Sequence, residues 1–405
     1  MDGNMLAAEE NQRLSQVGPD TPGGKLLRRY WQPVAATVAL RDRPTLRVRI
    51  MGEDLVLYRD RSGAYGLVQE RCPHRSASLV LGIPEENGLR CRYHGWLFSK
   101  TGSCLEQPFE DKAGSGNYKN HIRVTAYPVQ ELGGLLFAYL GPDPAPLLPR
   151  LELLLDTQRH RKIQTSVIPC NWLQCQENSL DPVHFEWLHA HGSNDLARRA
   201  GLPDVMVPRE HLKIAFDVFE FGIMKRRLLE GDDPETSDIW NVGHPMLFPN
   251  VLAGNGLQYR VPIDDGHTLH ISYQATNTPD GAGPQGEVPA EELPYADGEG
   301  NFILTSVLQQ DLAAWVTQGP VAPRELENLG RSDRGILIFR RWLKENIDKV
   351  ARGEEPGGLI RDPALNEPYF NVPGMKGRRA AATLSLNSLD ATGRLQHTSA
   401  ASAAV

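Results

Sequence analysis

From residue 46 the apolar positions fall on alternate residues. Leu46-Arg47-Val48-Arg49-Ile50 and Leu55-Val56-Leu57-Tyr58 flank the turn Gly52-Glu53-Asp54, and the pattern resumes at Tyr65-Gly66-Leu67-Val68. A period of two predicts short antiparallel strands. Upstream the chain opens polar, and Thr21-Pro22 marks a helix start leading into 25–31. A last apolar run, 135–140, precedes Pro142, Pro144, Pro146 and Pro149, which can continue neither strand nor helix and predict a stiff linker. Beyond it the alternation returns at 163–168, 212–221, 250–252, 257–261 and 268–273, an antiparallel sheet with one face on a core. Helical patterns follow over 307–317 and 324–350. Residues 277–300, rich in Gly, Pro and Glu, read as a long surface loop and a candidate lid. The Ala- and Ser-rich stretch after Gly374 reads as a poorly ordered tail.

Composition narrows the class. A chain of 405 residues, 40% hydrophobic and 23% charged, is expected to be globular, as two domains or one large elaborated one. A net charge of −7 argues against a nucleic-acid partner. No apolar run reaches the roughly 18 residues that span a bilayer, so no membrane partner is expected. The polar first residues carry no apolar leader, and five cysteines are too few for a disulfide scaffold. A reducing, cytoplasmic location is the expectation.

Two constellations carry chemistry. Cys72-Pro73-His74 and Cys91-Arg92-Tyr93-His94 each place a thiol and an imidazole on a tight loop, with sixteen residues between His74 and Cys91. Two thiolates and two imidazoles suit zinc, or a [2Fe–2S] cluster with sulfur on one iron and nitrogen on the other. A zinc finger groups its ligands by type, Cys-Cys then His-His; here each loop supplies one of each, as two loops clamping a two-iron rhomb would.

The second constellation is Asn171 to His189, N-W-L-Q-C-Q-E-N-S-L-D-P-V-H-F-E-W-L-H. Two histidines and a carboxylate hold Fe(II) on one face and leave the other open to O2. His184 and His189 are five apart, about 140° of rotation on an ideal helix. If both bind one metal, the helix must end, bend or wind wider between them, and a π-type turn is the usual device. The carboxylate can come from Asp181 nearby or from further along. Between 301 and 341 the candidates are Asp311, Glu325, Glu327 and Asp333. The last three sit in a charged stretch that reads as solvated. Asp311 has apolar neighbours and would be unfavourable there without a metal or a donor.

C-P-H…C-R-Y-H-G-W resembles the Rieske motif, and E-N-x-x-D-x-x-H-x-x-x-x-H resembles the mononuclear iron motif of ring-hydroxylating oxygenases, about ninety residues on. The chain thus resembles the oxygenase (alpha) subunit of Rieske non-haem iron oxygenases, closest to the phthalate-dioxygenase-like branch, which works without a separate beta subunit. The resemblance implies a [2Fe–2S] cluster on Cys72, His74, Cys91 and His94, and a mononuclear Fe(II) on His184, His189 and Asp311, with Asp333 the second choice. It implies that Asp181 links the two centres, bonding a cluster-ligand imidazole (His94) of a neighbouring subunit and His184 of its own, within a head-to-tail homotrimer.

Asn178 could face the open side of the iron or cap the helix. Cys104, Cys170 and Cys175 read as buried small residues, and His121, His191, His244, His267 and His270 as structural or surface histidines. Trp172, Trp187 and Trp315 read as core or as a pocket wall.

The expected fold is α+β: residues 1–40 a helical segment packing on the catalytic domain, 41–148 a small all-β Rieske domain, 149–373 a catalytic domain with a curved antiparallel sheet flanked by helices, and 374–405 a tail. The expected function is the terminal oxygenase of a multicomponent system in aromatic catabolism. A separate NAD(P)H-dependent reductase supplies electrons, and O2 is used to dihydroxylate, monooxygenate or demethylate a small, carboxylated aromatic. Arg226, Arg227 or Arg260 could meet that carboxylate, though each reads first as structural. The alternative is a Rieske-type electron carrier whose second iron site is degenerate.

Overall fold

The alternating stretch at 46–68 forms strands Thr45–Ile50, Glu53–Arg59 and Tyr65–Gln69, joined by Ala126–Tyr127 in a four-stranded antiparallel sheet. This is seen in a computed structural model that describes residues 6–114, 117–254, 256–278 and 285–372. The tail expected over 374–405 lies outside the described residues. The first turn is not Gly52-Glu53-Asp54 but the pair Met51-Gly52, at φ 46° and 79°. Ile50 pairs with Glu53 across it. A two-residue hairpin of this kind needs positive φ at both central positions, which moves Glu53 and Asp54 into the strand.

A second four-stranded sheet follows: Ile83–Glu85, Gly88–Arg90, Leu97–Phe98 and Cys104–Glu106. The small core of Val56, Tyr58, Val68, Leu79, Leu89, Phe98 and Val124 also takes in Cys72, Cys91 and Cys104. A three-stranded sheet, ordered Gln32–Ala36, Leu135–Ala138, Val129–Leu132, leads into the proline stretch. There the Trp31 indole N–H donates to the carbonyl of Pro146 at 2.8 Å.

The large sheet has eight strands, ordered His211–Phe219, Gly222–Leu229, His244–Leu247, Val251–Ala253, Gly256–Asp264, His267–Thr276, His160–Ile168 and Ala290–Glu292. Neighbours are antiparallel except the last pair. Ala290–Glu292 lies inside the stretch read as one long loop, so part of that loop is an edge strand. Its register with 163–165 is held by backbone pairing that sequence periodicity cannot signal. One sheet face carries Leu257, Tyr259, Val261, Ile271 and Tyr273 into the main apolar core. The opposite face carries half-buried Gln258 and buried Arg260, His270, Ser272 and Lys225 under helices Trp172–Asn178 and Val307–Thr317.

The helix expected over 324–350 is interrupted. Short 3-10 turns occupy Arg324–Leu326 and Arg331–Asp333, and the helix proper is Arg334–Ala351. Gly330 is extended, and its N–H donates to Asp333 Oδ2 at 2.7 Å, so the helix starts anew there. Gly335 has a packing reason. A Cβ on it would stand 2.3 Å from Phe216 Cε1 and 2.6 Å from the carbonyl oxygen of Leu180, so the helix can close on the segment before Asp181 only without a side chain there.

Candidate metal centres

The two Cys/His loops share one backbone frame. In each six-residue loop the amide of the first residue donates to the carbonyl of the sixth, and the amide of the fifth donates back to the first: Cys72 to Ala77 and Ser76 to Cys72, then Cys91 to Trp96 and Gly95 to Cys91. The fifth residue is left-handed in both, Ser76 at φ 56° and Gly95 at 77°. The frame sinks the thiols and lifts the imidazoles. Cys72 and Cys91 are buried, whereas His74 and His94 are exposed, their ring centroids 4.4 Å apart. Trp96 stacks on His74 at 4.5 Å and 10°.

Burial pushes the Cys72 thiol up to about 12, and the Cys91 sulfur beside it adds to the push. The buried Cys72 thiol therefore stays protonated until a cation makes its thiolate favourable. The donor set fits a two-iron cluster better than one zinc ion, whose tetrahedral site would gather all four donors within roughly 4 Å. Among the described residues, only His184, His189 and Asp311 bring three such donors within 4.8 Å of one another.

That second trio is assembled from two elements. Phe185–His191 is a π-helix, so of an end, a bend or a wider winding between His184 and His189 the chain takes the last. Asp311 arrives on helix Val307–Thr317, capped by Ser306, whose hydroxyl accepts the amide of Gln309. Asp311 Oδ1 lies 3.3 Å from His189 Nε2 and 3.6 Å from His184 Nε2. A first-row metal with bonds near 2.1 Å spaces neighbouring donors roughly 3–3.5 Å apart, so the residues fit such an ion.

The outer nitrogens of the two imidazoles face polar groups as well. His189 Nδ1 is 2.8 Å from Gln310 Oε1. The Gln310 amide is oriented by its NH2, which donates to Ser193 Oγ and to the Leu304 carbonyl. The imidazole therefore donates from Nδ1 and keeps its Nε2 lone pair for a metal. His184 Nδ1 faces Asp181 Oδ2 at 3.4 Å without an aligned hydrogen bond. Asp181 Oδ1 accepts the amides of Val183 and His184. Burial works to raise its pKa, but His184 and the two amides outweigh it and hold the carboxyl below its usual range. Asn178, at the end of helix Trp172–Asn178, puts its Nδ2 3.4 Å from both His184 Nε2 and Asp311 Oδ1.

The other carboxylates are committed elsewhere: Asp333 to Gly330, Glu325 to Asn11 and Glu327 to Arg340. Trp172 and Trp315 are buried, but Trp187 is 64% exposed and stacks on His191, so it is neither core nor an inner wall. The wider π winding turns it outward. Cys104, Cys170 and Cys175 are buried free thiols.

Residues 30–128 match the Rieske [2Fe-2S] domain family, and residues 296–369 match the family described as LigXa C-terminal domain like. The chain is 47% identical over 367 residues to the 5,5'-dehydrodivanillate O-demethylase oxygenase subunit of Sphingobium sp. (strain NBRC 103272 / SYK-6), covering 90% of this chain and 85% of that one. The chain belongs to the oxygenase subunits of the Rieske non-haem iron oxygenases. It is also 31% identical over 396 residues to the phthalate 4,5-dioxygenase oxygenase subunit of Pseudomonas putida, 87% of this chain and 89% of that one. The fold matches the Pseudomonas putida CBB5 NdmA QL mutant with caffeine at a TM-score of 0.59 and 20% identity, covering 82% of this chain and 94% of that chain.

As a Rieske oxygenase subunit, the chain is the terminal oxygenase of a multicomponent system, with a [2Fe–2S] cluster, a mononuclear iron, and electrons supplied by a partner protein. The electron-carrier alternative falls, because the likeness to oxygenases runs through the catalytic region. No helix among the described residues is long and apolar enough to cross a membrane.

Three features of this Rieske oxygenase escaped the sequence reading. Glu177 is a buried carboxylate gripped by Arg324 and Arg340, Gln310 orients His189, and Lys225 lies on the buried polar sheet face. Glu177 and Gln310 depend on partners more than a hundred residues away, which no local pattern announces. Lys225 did leave a signal, a charge within the buried run Gly222–Leu229.

Proposed function

We propose that this subunit holds its cluster through Cys72, His74, Cys91 and His94 and its mononuclear iron through His184, His189 and Asp311, and that it removes a methyl group from a small methoxylated aromatic acid. The convergence of His184, His189 and Asp311 around one point carries the iron assignment. The 47% identity to an O-demethylase oxygenase subunit puts demethylation ahead of ring dihydroxylation. When bound, the iron supplies activation of O2 beside the substrate. The chain's own residues do the rest. Gln310 fixes the His189 imidazole, Asn178 occupies the edge of the open side, and Asp181, held ionised, faces His184 Nδ1 at 3.4 Å. In the overall reaction one oxygen atom goes to the methyl carbon and the other leaves as water, with two electrons and two protons consumed. The oxygenated methyl group departs as formaldehyde and leaves a phenol.

The test uses a surrogate reductase, NADH and a panel of methoxybenzoates and unsubstituted benzoates. Formaldehyde release matching O2 uptake is expected. A cis-dihydrodiol product, or no substrate-dependent O2 uptake, overturns the reading.

The exposed His74 and His94 and the partly open Asp181 support a head-to-tail homotrimer in which His94 of one subunit meets Asp181 of the next. Asp181→Asn is expected to keep both metals and slow turnover about 10–100-fold. Single-turnover oxidation of the reduced cluster measures this, and a wild-type rate would remove Asp181 from the path. The free thiols fit a cytoplasmic location.

A further inference from the structure

The inner face of the large sheet carries cations that no acid pairs with directly; the charge of Asp232 reaches Arg227, but that carboxylate is bonded to Arg209. On strand Gly222–Leu229, Lys225 and Arg227 are two apart and share a face, while Arg226 between them points the other way. Arg226 is fully engaged, donating to Asp217 Oδ2 at 2.6 Å and to the carbonyls of Trp240 and Asn241. Arg260, also inward and fully buried, donates to the backbone and side-chain oxygens of Gln258 and lies over Trp315.

Lys225 and Arg227 have neither a hydrogen bond nor an ion pair among the described residues, although Lys225 is only 7% exposed. Beside Lys225 across the sheet stand Phe216 and His244, and beside Arg227 stands Ile214. Arg227 lies 4.4 Å over the ring of Phe185, whose other neighbour is His189 at 5.3 Å. The two cations thus border the metal trio. The carboxylates whose charge reaches Lys225 are Asp181 and Asp311, both already engaged. Once a ferrous ion is bound, this enclosed region is net positive.

A buried cation without a counter-charge is strongly unfavourable, so the face is built for an anion that arrives from outside. Burial, with Arg227 nearby, draws the Lys225 ammonium down to about 7, as expected of a cation waiting for such a partner. A large apolar recess lies on the opposite, Tyr259 face, lined by Tyr30, Trp31, Phe248 and Phe370, and offers no such charge.

We propose that Lys225 and Arg227 form the anchor for the substrate's carboxylate, which sets the specificity of this oxygenase for aromatic acids and holds the ring against the metal trio. The proposal rests on the reading of the site as an oxygenase centre, and Lys225 is a specificity-determining residue rather than a ligand.

The test is anaerobic calorimetry on the iron-loaded subunit with four probes: vanillate, its methyl ester, 3,4-dimethoxybenzoate and 5,5'-dehydrodivanillate. The ester keeps the phenol and loses the carboxylate; the dimethoxy acid does the reverse, so a phenolate anchor is told from a carboxylate anchor. In the wild type the acids are expected to bind about tenfold or more tighter than the ester. Lys225→Met and Arg227→Gln are each expected to erase most of that ratio, to leave the ester's affinity alone, and to keep the cluster spectrum and iron content. Lys225→Arg is expected to retain the preference.

Equal binding of acid and ester by the wild type, failure to bind any acid, or an unchanged ratio in an iron-replete Lys225→Met protein overturns the proposal. Should Lys225→Met fail to load iron, Arg227→Gln and the wild-type comparison decide. A preference for acids combined with a dihydrodiol product would sink demethylation and leave the anchor standing.

Discussion

The two metal regions solve the same problem in opposite ways. At the cluster loops, the donors lie within two six-residue frames closed by their own backbone hydrogen bonds, and the imidazoles end at the surface. At the mononuclear site, the donors come from a π turn and from a helix more than a hundred residues later, and buried polar groups wrap them. One site is a property of local chain geometry. The other exists only when the domain around it is folded, so the two should fail independently and to different perturbations.

The largest effect tests that independence. Asp311→Ala removes the carboxylate that both imidazoles share, and turnover is expected to vanish. Iron should fall from about three to about two per chain with the cluster's visible spectrum unchanged. Metal analysis beside the spectrum decides it. Loss of the cluster as well would show that the regions are coupled.

The next effect acts on the wrapping. Glu177 is buried and accepts from Arg324 Nη2 at 2.8 Å and from Arg340 Nε at 2.6 Å, while Arg324 also donates to Asn11 on helix Ala8–Ser15. Glu177→Gln leaves the buried Arg324 guanidinium without its carboxylate and Arg340 with Glu327 alone, and is expected to destabilise the catalytic domain by about 3 kcal/mol. Urea unfolding with probes in both domains measures it, and the cluster should be affected least. The pH response has a definite sign. Burial works to raise the Glu177 pKa, but Arg324 and Arg340 outweigh it and hold the carboxyl below its usual range. Its stabilisation is therefore whole above the ordinary carboxylate pKa and is lost as pH falls through the depressed value. The Gln variant should lack that part of the acid transition.

The same contrast explains what could be read from the chain. The Cys/His pairs proposed as cluster donors stand out because their spacing is local, and a departure from the ordinary helix was legible because His184 and His189 five apart cannot share a face of it, while the choice of a π turn over a bend or a break was not. Asp311 stood out as an acid among apolar neighbours. Illegible were the pairings made through space: Gln310 against His189, Arg324 against Glu177, and edge strand Ala290–Glu292 against 163–165. Trp187 was misplaced for a related reason. Its apolar character suggested the interior, but the turn that unites the histidines swings it into solvent. The break at Gly330 was missed although no apolar side chain stands between Leu329 and Ile336, because the charged stretch there was read as the solvated face of one helix.

Gln310→Leu sharpens the comparison at smaller scale. The substitution keeps the bulk and removes the acceptor at His189 Nδ1. A supporting bond of this kind is worth about 10–100-fold in metal affinity, so mononuclear iron should bind that much more weakly while both histidines and Asp311 remain. Competition with a chelator gives the number. Unchanged affinity would mean that packing alone orients the ring.

The smallest effect lies in the cluster loops, where one frame carries two different residues at its left-handed position. Ser76 bears the strain of φ 56°, whereas Gly95 is free of it at 77°. Ser76→Gly relieves that strain but gives the unfolded chain more freedom, and the two nearly cancel to within about 0.5 kcal/mol. Gly95→Ser meets the same near-balance in reverse, but its Cβ would also meet Pro108 Cγ at 3.1 Å. A loss of about 1–2 kcal/mol from that crowding follows. Thermal unfolding followed through the cluster's visible dichroism separates the pair. An equal response at both positions would mean that the shared hydrogen bonds alone set loop stability, whereas the expected inequality would locate the difference in the Pro108 contact on one side of the cluster.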